Sequence, residues 1–413
     1  MNEWLECPLS QLTTFQKGRK VDTSSFALDG FSSYLGASGI EGRDDGYGDP
    51  RFGVIAKATD TLMLWDGERS GLVGFGRRGV VASTVTKLSP HDLVEPKFLY
   101  FALLAKFDWI QHQRTGTGVP HVPKDLGRIL KISFPKRKVA QRKIAVILST
   151  IDTAIEQTEA LIEKYQHIKA GLMHDLFTRG VLPNGQLRPP RELAPELYQE
   201  TAIGWIPREW EVSGLASKGR TGTSWIRTGP FGSSLKGEHW RIDGHPVITI
   251  GALGTGEFIE SELLYVGQKD ASRLFDFQLK ENDVVFSRVA DVGRSVVVRE
   301  AQAGWIMSSN LMRIAVDETL LRPDYLQMQL ASDSRVKSQI RAGVNSGGRD
   351  VANSEVLNRL RFAIPKPNEQ DRVIDKANRL FQRTNAEMGK VAKLQTQKLG
   401  LMQDLLTGKV LVQ

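Results

Sequence analysis

Several residue types in this chain could perform catalysis, but their spacing matches no catalytic motif. The seven histidines include no His-Glu-x-x-His pair, and Cys7 is the only cysteine, which excludes an internal disulfide and a thiolate zinc site. The phosphate-binding motif GxxxxGK(S/T) and the nucleophile motif GxSxG are both absent. The spacing GxGxxG occurs at Gly74–Gly79, but Val80–Val85 after it predicts a strand, whereas nucleotide binding needs a helix there. We therefore expect a glycine turn at this place and a chain that is not an enzyme by itself.

Glycine-containing loops with cations and small polar side chains offer chemistry that suits duplex DNA. Lys, Arg, Ser and Thr contact phosphates, and Arg, Lys, Asn and Ser/Thr also read base edges. Each loop alone could equally be a solvated turn, but similar loops recur in both halves of the chain. The candidate DNA-binding residues are Trp65, Arg77, Arg78, Ser83, Thr84, Arg114, Thr117 and Lys124 in the first half, and Arg227, Ser233, Ser234, Lys236, Ser287, Arg288, Arg294, Asn310, Asn345 and Arg349 in the second.

The composition is typical of a soluble globular protein with a mild basic bias. Of the 413 residues, 40% are hydrophobic and 25% are charged. No window approaches the ~18 consecutive apolar residues of a membrane span. Glu3 and Glu6 lie where a secretory signal would be basic and then apolar, so we expect a cytoplasmic location. The net charge of +8 favours an anionic partner, with nucleic acid as the leading candidate and no membrane.

The loops must be positioned by a duplicated framework, because the chain repeats itself. Gly171–Val181 matches Gly400–Val410 at seven of eleven positions, at an offset of 229 residues. Weaker matches follow the same order with smoothly increasing offsets, as small insertions in a duplicated unit would produce. They are Trp4–Glu6 with Trp210–Val212, Asp60–Trp65 with Asp283–Arg288, Ser83–Leu88 with Ser309–Ile314, and Pro96–Leu99 with Pro323–Leu326.

Each repeat unit ends in a long proline-free segment, at 138–178 and at 368–407. Apolar residues recur there every three or four positions, which predicts two coiled-coil helices of ~60 Å each. A coiled coil between two chains is one arrangement, but two seams of equal length in one chain favour pairing within it. Such a pair would act as a spacer between two sites. The seams are Ile144, Leu148, Ile151, Ile155, Thr158, Ile162 and Tyr165, and Ile374, Ala377, Phe381, Thr384, Met388 and Val391.

The sequence therefore predicts an α+β fold with an internal pseudo-twofold repeat. Two similar globular α/β domains are separated by two long antiparallel helices that form an intramolecular coiled coil. Within the domains we expect short strands and shorter helices at 96–112 and 322–341. The expected segments are a first domain at 1–135, a first long helix at 136–180, a Pro-rich connector at 181–209, a second domain at 210–365, and a second long helix with a C-terminal tail at 366–413.

Four sets of motifs lie in a specific order along almost the whole chain. They are the helix ends Gly171–Val181 and Gly400–Val410, the helix entries Phe134–Pro135 and Ile364–Arg372, the connector end Ile203–Val212, and the loop Gly229–Lys236. In this order they resemble the specificity (S) subunit of type I restriction-modification systems. One departure is that Val139–Ile144 lacks the Glu-Gln helix start present at Glu369–Ile374.

The resemblance implies two target recognition domains, each of which reads one half of a bipartite, asymmetric DNA site. It implies that the helices dock two modification (methyltransferase) subunits, which carry S-adenosylmethionine and methylate adenine. Restriction subunits that use ATP and Mg2+ for translocation and cleavage would join them, so that this chain would hold no cofactor. The residues that we expect to bind the partner subunits are Leu172, Met173, Leu176, Leu401, Met402 and Leu405.

Two alternatives to this function stay open at the level of the sequence. The chain could be a scaffold or inhibitor that binds a protein partner through the helices and never reads bases. It could also serve a fused methylase-nuclease system, which differs only in its partners. The cluster Lys136–Lys138 fits a phosphate contact and a solvated helix start equally well.

Overall fold

The computed structural model describes residues 4–116, 118–344 and 351–412. The chain forms two compact units: unit 1 comprises Met1–Leu161 with Glu387–Gln413, and unit 2 comprises Ile162–Ala386. This division differs from the expected segments, because each long helix contributes one part to each unit. Among the described residues, no helix is both long and apolar enough to cross a membrane.

Unit 1 begins with short strands and helices that precede the first long helix. Its central sheet has the order β2-β10-β7-β8, and a second sheet has the order β3-β5-β4-β9-β6. The first and last strands, β1 and β11, pair with each other. The elements are β1 (Trp4–Pro8), α1 (Leu9–Leu12), β2 (Thr13–Lys17), β3 (Thr23–Ser24), β4 (Ser32–Leu35), β5 (Tyr47–Gly48), β6 (Val54–Ala56), β7 (Thr61–Leu64), β8 (Val73–Phe75), β9 (Gly79–Val81), β10 (Val85–Pro90), α2 (Pro96–Leu104), α3 (Phe107–His112), α4 (Leu126–Ile129), β11 (Lys131–Pro135) and the long helix α5 (Lys138–Thr178).

Unit 2 repeats this plan after a short hairpin. Its central sheet has the order β15-β22-β19-β20, its second sheet the order β16-β18-β17-β21, and β14 pairs with β23. The elements are β12 (Tyr198–Thr201), β13 (Gly204–Pro207), β14 (Glu211–Ser213), β15 (Ile226–Thr228), β16 (Trp240–Arg241), β17 (His245–Ile248), β18 (Leu264–Val266), α6 (Gln268–Arg273), β19 (Val284–Ser287), β20 (Ser295–Val297), β21 (Ile306–Met307), β22 (Leu311–Ile314), α7 (Pro323–Ser332), α8 (Ser334–Gly343), α9 (Ser354–Arg359), β23 (Phe362–Ile364) and the long helix α10 (Pro367–Leu406).

The two central sheets have the same topology, which confirms the internal repeat. In both sheets every neighbouring pair of strands is antiparallel. The strands β7 and β19 lie inside their sheets, and all four residues of each are buried. Their short apolar runs, bounded by turns, are typical of such inner strands. The predicted glycine turn at Gly74–Gly79 is also present, since it joins β8 to β9 and no helix follows.

The long helices α5 and α10 confirm the predicted segments to within one residue. In unit 1, Lys398 of α10 forms an ion pair of 2.6 Å with Asp152 of α5. In unit 2, the ammonium of Lys169 lies 4.1 Å from the ring centre of Phe381. The two helices therefore pair within the chain. Within unit 1, Ile144 near the start of α5 shares a core with late α10 residues, so the pairing is antiparallel.

One seam prediction is wrong. Thr384 and Val391 are buried as expected, but the side chain of Met388 is 53% exposed. Glu387 has the more buried side chain of these two neighbours, with 22% exposure. The inward-facing residues of α10 thus follow a three-residue step and then a four-residue step, where the sequence pattern indicates the reverse.

A buried glutamine lies in the first turn of each long helix and joins it to its unit. The side-chain oxygen of Gln141 accepts the N–H of Glu95, and its amide donates to the carbonyls of Leu93 and Pro135. The side chain of Gln370 makes the same three bonds with the corresponding residues, which are Arg322, Leu320 and Pro365.

The prediction that the first long helix lacks the Glu-Gln start therefore holds for the glutamate but not for the glutamine. Gln141 takes the structural place of Gln370 after a one-residue shift, so the glutamine of the Glu-Gln start is present in both copies. Only the glutamate is missing, because Ala140 precedes Gln141 where Glu369 precedes Gln370. The direct alignment of the two segments hides the shift.

The two shorter helices predicted at 96–112 and 322–341 are each broken into two. In unit 1 the break falls at Ala105 and Lys106, between α2 and α3. In unit 2 Asp333 is extended and caps α8, because its carboxylate accepts the N–H of Arg335 at 2.9 Å. A side chain that caps a new helix competes with continuation of the preceding one.

The connector 181–209 is ordered and belongs to unit 2. Arg188 is 4% exposed and binds the carboxylate of Glu369, which also accepts the N–H of Val181 at 3.0 Å. Burial by itself lowers the pKa of Arg188. The carboxylates of Glu369 and Glu209 together have a larger, opposite effect, so the pKa lies above its ordinary value. Trp210 at the connector end is buried. These contacts fix the C-terminal end of α5 to the start of α10.

Candidate nucleic-acid interface

In unit 1, three loops meet at one end of the central sheet. Trp65 follows β7 directly, and its N–H donates to the carbonyl of Thr84 at 2.7 Å. The carbonyl of Trp65 accepts the N–H of Val122 at 2.9 Å. We name the place where Trp65, Thr84 and Val122 meet loop junction 1. It unites the segments around 65, 84 and 122, which are far apart in the sequence.

An open groove beside loop junction 1 combines an aromatic ring with cations. Phe15, Trp65, Lys17, Lys124 and Arg128 line it. The rings of Phe15 and Trp65 pack edge to face, with centres 6.1 Å apart. The side chains of Lys17 and Arg128 are 50% and 79% exposed, and they pair with Asp66 and Asp125 at 2.8 and 2.7 Å, so a DNA phosphate would compete with these carboxylates. Exposed cations beside an apolar face suit the phosphates and bases of DNA.

Two polar side chains link the segments of loop junction 1 to one another and to β2. The carboxylate of Asp66 accepts a hydrogen bond from Lys17 at 2.8 Å and lies 2.7 Å from a ring nitrogen of His121. Arg114 donates to the carbonyls of Gln111 and Glu68 at 2.9 and 2.6 Å. Two nitrogens of the predicted DNA-binding residue Arg114 therefore organise the loop itself.

Arg77 and Arg78 lie at the opposite end of the sheet, in the turn between β8 and β9. Thr61 at the start of β7 pairs with Phe75 at the end of β8, so the turn follows the end that is remote from Trp65. A strand of this length spans about 13 Å. Arg78 lines a separate cleft with Lys57. The structure thus does not bring these two predicted residues to loop junction 1.

In unit 2, the same junction carries different side chains. Arg288 follows β19 directly, and its N–H donates to the carbonyl of Asn310 at 3.1 Å. The carbonyl of Arg288 accepts the N–H of Ala352 at 2.8 Å. We name the place where Arg288, Asn310 and Ala352 meet loop junction 2. It brings together the predicted residues Arg288 and Asn310.

A glycine in each unit brings the edge strand against its junction. The N–H of Gly229 donates to the carbonyl of Leu311 at 3.0 Å, and an added Cβ would overlap the carbonyl oxygen of Ser308. In unit 1, Gly18 donates to Val85 in the same way, and its Cβ would overlap the carbonyl oxygen of Ala82. Only glycine permits this close approach of two backbones.

The loop after Gly229 carries three predicted residues, Ser233, Ser234 and Lys236. A Cβ added at Gly232 would lie 3.9 Å from the hydroxyl of Ser309, so the loop passes beside loop junction 2. Phe231 in this loop is 88% exposed. Ser233 and Lys236 are exposed as well, and their contact with DNA stays a prediction.

Arg227 precedes this loop and has partners inside unit 2. Its guanidinium lies 3.1 Å from Asp276 and 4.9 Å from the ring centre of Phe277. A DNA phosphate would have to compete with the carboxylate of Asp276 for this cation. DNA binding by Arg227 therefore stays a prediction, and it would require displacement of the Asp276 carboxylate.

A buried aspartate supports the far end of the central strand in both units. Asp283 accepts the N–H of Lys280 at 2.8 Å, and Asp60 accepts the N–H of Lys57 at the same distance. Burial raises the pKa of Asp283, and the Lys280 N–H and the guanidinium of Arg313 oppose this effect. The repeated framework thus extends from the buried strand start to the exposed junction.

Comparisons with known proteins agree with this arrangement. The family model for the type I restriction modification DNA specificity domain matches residues 1–165. The type I restriction enzyme MjaVIII specificity subunit of Methanocaldococcus jannaschii is 23% identical over 373 residues, which cover 87% of this chain and 81% of that protein. Over most of its length the chain is therefore similar to a specificity subunit of a type I restriction-modification system.

Solved structures of specificity subunits share the fold. The S subunit of a type I restriction-modification system from M. genitalium has a TM-score of 0.62 at 14% identity, over 98% of this chain and 96% of that one. A chain from a study of assembly and conformational transition of the type I R-M system has a TM-score of 0.56 at 14% identity, over 98% and 97% of the two chains. At this identity the likeness concerns the fold alone.

Two residues predicted to contact DNA instead make hydrogen bonds within unit 2. Ser287 is fully buried, and its hydroxyl donates to the carbonyls of Val289 and Ala290 at 2.8 and 3.2 Å. The prediction for Ser287 is wrong, because a buried hydroxyl cannot reach DNA. Arg294 donates to the carbonyls of Leu253 and Ile250, so its guanidinium faces its own unit.

Four of the six apolar residues predicted to bind partner subunits lie in the chain's own cores. Met173 and Leu176 are 3% and 0% exposed and pack in unit 2. Met402 and Leu405 are 8% and 4% exposed and pack in unit 1. The prediction is wrong for these four, because the helix ends use them to attach to the units. Leu172 and Leu401 are partly buried at the edges of the same cores and stay predictions.

Lys17, Arg128 and Phe231 are junction residues that the sequence prediction omits. One sequence signal could have identified Lys17. It directly precedes Gly18, which has the same role in unit 1 as Gly229 has in unit 2. The repeat match is too weak there to reveal it. The predicted residues Thr117, Asn345 and Arg349 lie outside the described residues. Among the described residues, no cluster of His, Cys, Asp and Glu could hold a metal ion.

Proposed function

We propose that each unit of this specificity subunit reads one half of a bipartite, asymmetric DNA site. The observation that carries the proposal is the repetition of one backbone junction with different side chains. Trp65 and Thr84 occupy loop junction 1, whereas Arg288 and Asn310 occupy loop junction 2. Two readers with the same framework and different side chains would recognise two different short sequences on one duplex.

The chemistry of the two junctions suits readout of a duplex. Side chains that point at base edges supply sequence specificity, and surrounding cations contact phosphates and fix the position of the protein. In unit 1 the cations are Lys17, Lys124 and Arg128 around Trp65. In unit 2 Lys236 is exposed in the loop beside Asn310. The modest net charge of +8 fits this division, because only the junctions need to face DNA.

The catalytic steps belong, in this proposal, to partner subunits. Modification subunits, two per specificity subunit, would bind S-adenosylmethionine and methylate adenine, and restriction subunits would use ATP and Mg2+. We propose the two long helices as the docking surface for the modification subunits. Since their inward residues are occupied, the docking falls to outward side chains such as Val146, which is 63% exposed on α5, and Leu399, which is 69% exposed on α10.

The proposal is tested by mapping methyladenine in a host that lacks other adenine methylation. The host expresses the full chain with its cognate modification subunits, and we expect a split consensus with two defined halves. Replacement of residues 4–135 by the corresponding domain of another specificity subunit should change one half of the consensus and leave the other intact. Scattered methylation, or an unchanged consensus after the replacement, would contradict the proposal.

The scaffold alternative predicts a different result in a binding experiment. A specific reader should form a complex with duplex DNA whose affinity falls steeply as salt rises, because bound cations release counterions from the duplex. A scaffold would bind its protein partner and show no duplex binding even at low salt. The comparison should use the complex with the modification subunits and a duplex that contains the mapped site.

A further inference from the structure

Loop junctions 1 and 2 hold two side chains at equivalent backbone positions. Trp65 and Arg288 each follow the inner strand of the central sheet, and each N–H donates to a carbonyl in the next loop, that of Thr84 or of Asn310. Each carbonyl accepts an N–H from a third segment, at Val122 or Ala352. The backbone at this position is therefore the same in both units, and only the side chains differ.

The buried framework of the two units keeps its residue types, in contrast to these half-buried positions. Gln141 and Gln370 make matching hydrogen bonds, and Gly18 and Gly229 make matching close approaches. The pair at each junction changes from an indole with a threonine hydroxyl to a guanidinium with an amide. Positions that vary on an unvarying framework are suited to set the difference between two binding specificities.

The guanidinium of Arg288 is oriented and has free donors. Its Nε donates to the carbonyl of Ala352 at 3.3 Å. Its two terminal nitrogens make no hydrogen bond to any residue within 4–116, 118–344 and 351–412. A guanidinium held through Nε presents two parallel N–H donors, which match the O6 and N7 acceptors of guanine in the major groove.

The backbone after Arg288 is strained, and this supports a functional role for the loop. Ala290 and Asp291 have φ angles of 38° and 53°, in the left-handed region that non-glycine residues rarely adopt. The buried hydroxyl of Ser287 holds this conformation through its bonds to Val289 and Ala290. Such strain at an exposed loop is typical of a site where a side chain must point in one direction.

We propose that the residue after the inner strand, Trp65 in unit 1 and Arg288 in unit 2, determines one base of the half-site that its unit reads. Arg288 selects a guanine through its terminal nitrogens. Asn310 beside it offers an amide, which suits an adenine at a neighbouring position. This inference rests on the proposed function, since it names the residues by which the two units differ in specificity.

The experiment again maps methyladenine for the complex of the full chain with its modification subunits. The unit 2 half of the consensus is identified by the replacement of residues 4–135, which leaves that half unchanged. For Arg288→Ala we expect one guanine in this half to become degenerate, with methylation of sites that carry another base there rising about tenfold or more relative to the original site. The half read by unit 1 should stay the same.

Three further variants separate this role from a structural one. Arg288→Lys keeps a cation but not the paired donors, so it should methylate the original site with a relaxed guanine. Trp65→Arg should change a base in the unit 1 half only. Arg299→Ala is the matched control, because Arg299 pairs with Asp324 and follows β20 at the end of the sheet remote from loop junction 2. It should leave the whole consensus unchanged.

The outcomes distinguish the two levels of the proposal. A wild-type complex without a split consensus contradicts the proposed function itself. A split consensus that Arg288→Ala leaves intact, or that becomes degenerate at a base other than guanine, overturns the present inference alone. If Arg288→Ala abolishes all methylation, Arg288→Lys decides: activity with a relaxed guanine supports the inference, and loss of all methylation overturns it.

Discussion

The two buried glutamines provide a quantitative test of the repeated framework. Gln141 and Gln370 are both 0% exposed, and each makes three hydrogen bonds that join a long helix to its unit. A buried hydrogen bond of this kind contributes about 1 kcal/mol net. Substitution by alanine should therefore lower the free energy of unfolding by about 3 kcal/mol at either position. The effect of Gln141→Ala should fall on unit 1 and that of Gln370→Ala on unit 2.

Hydrogen exchange with mass spectrometry resolves the two units, because it reports local opening free energies segment by segment. Gln141→Ala should reduce protection around α2 and β11, and Gln370→Ala should reduce it around α7 and β23. Gln141→Met and Gln370→Met keep most of the side-chain volume and lose the same hydrogen bonds, so their losses should be similar to those of the alanine variants.

The exposed glutamines Gln157 of α5 and Gln382 of α10 serve as controls. Their substitution by alanine should change stability by no more than about 0.5 kcal/mol, as is usual for surface sites. The reasoning is refuted if Gln141→Ala and Gln370→Ala behave like these controls, or if both lower the protection of the same unit. A small loss with methionine and a large one with alanine would show that packing, and not hydrogen bonding, stabilises the helix start.

Two other predictions concern buried contacts. Arg188→Met leaves the carboxylate of Glu369 buried without its cation, so unit 2 should lose about 3 to 5 kcal/mol of stability in chemical denaturation. Gly18→Ala and Gly229→Ala place a methyl group on a carbonyl oxygen in their own units, and each should lower the melting temperature through a loss of about 1 to 3 kcal/mol.

Each of these predictions has a control in the same chain. Glu209 is the exposed partner of Arg188, and the side chain of Glu209 is 73% exposed. Glu209→Gln should therefore lower the stability by about 1 kcal/mol or less. Gly171 lies inside α5 with no atom near an added Cβ, so Gly171→Ala should stabilise the protein by about 0.5 to 1 kcal/mol. Equal losses of stability for Arg188→Met and Glu209→Gln would contradict the buried contact of Arg188 with Glu369. An unchanged melting temperature for Gly18→Ala would contradict the close backbone approach at Gly18.

Periodicity and repetition are sufficient to predict the long helices and the correspondence between the two repeat units. The bounds of α5 and α10 follow from proline-free segments with apolar residues every three or four positions, because this local pattern is shared by every turn of a long helix. The match of Asp60–Trp65 with Asp283–Arg288 likewise aligns β7 with β19 and places Trp65 opposite Arg288 in the repeat.

Contacts between distant segments required the tertiary structure. Ser287 lies beside loop residues in the sequence, yet it is the last residue of the inner strand β19 and is fully buried. The sequence predicts that Met173 and Met402, near the ends of the long helices, bind partner subunits. They are instead buried, because their own units pack against those helix ends. Whether a side chain faces a core, a loop or solvent depends on which distant backbone comes near it, and local pattern carries no such information.

The equivalence of Gln141 with Gln370 shows the same limit at a single residue. A direct alignment pairs Gln141 with Asp371, because it counts residues, whereas the hydrogen bonds depend on where the side-chain amide lies in space. The meeting of Trp65 with Thr84 and Val122 is of this kind as well. The long helices could be predicted from neighbouring residues, but loop junctions 1 and 2 could not, because each is assembled from segments that only folding brings together.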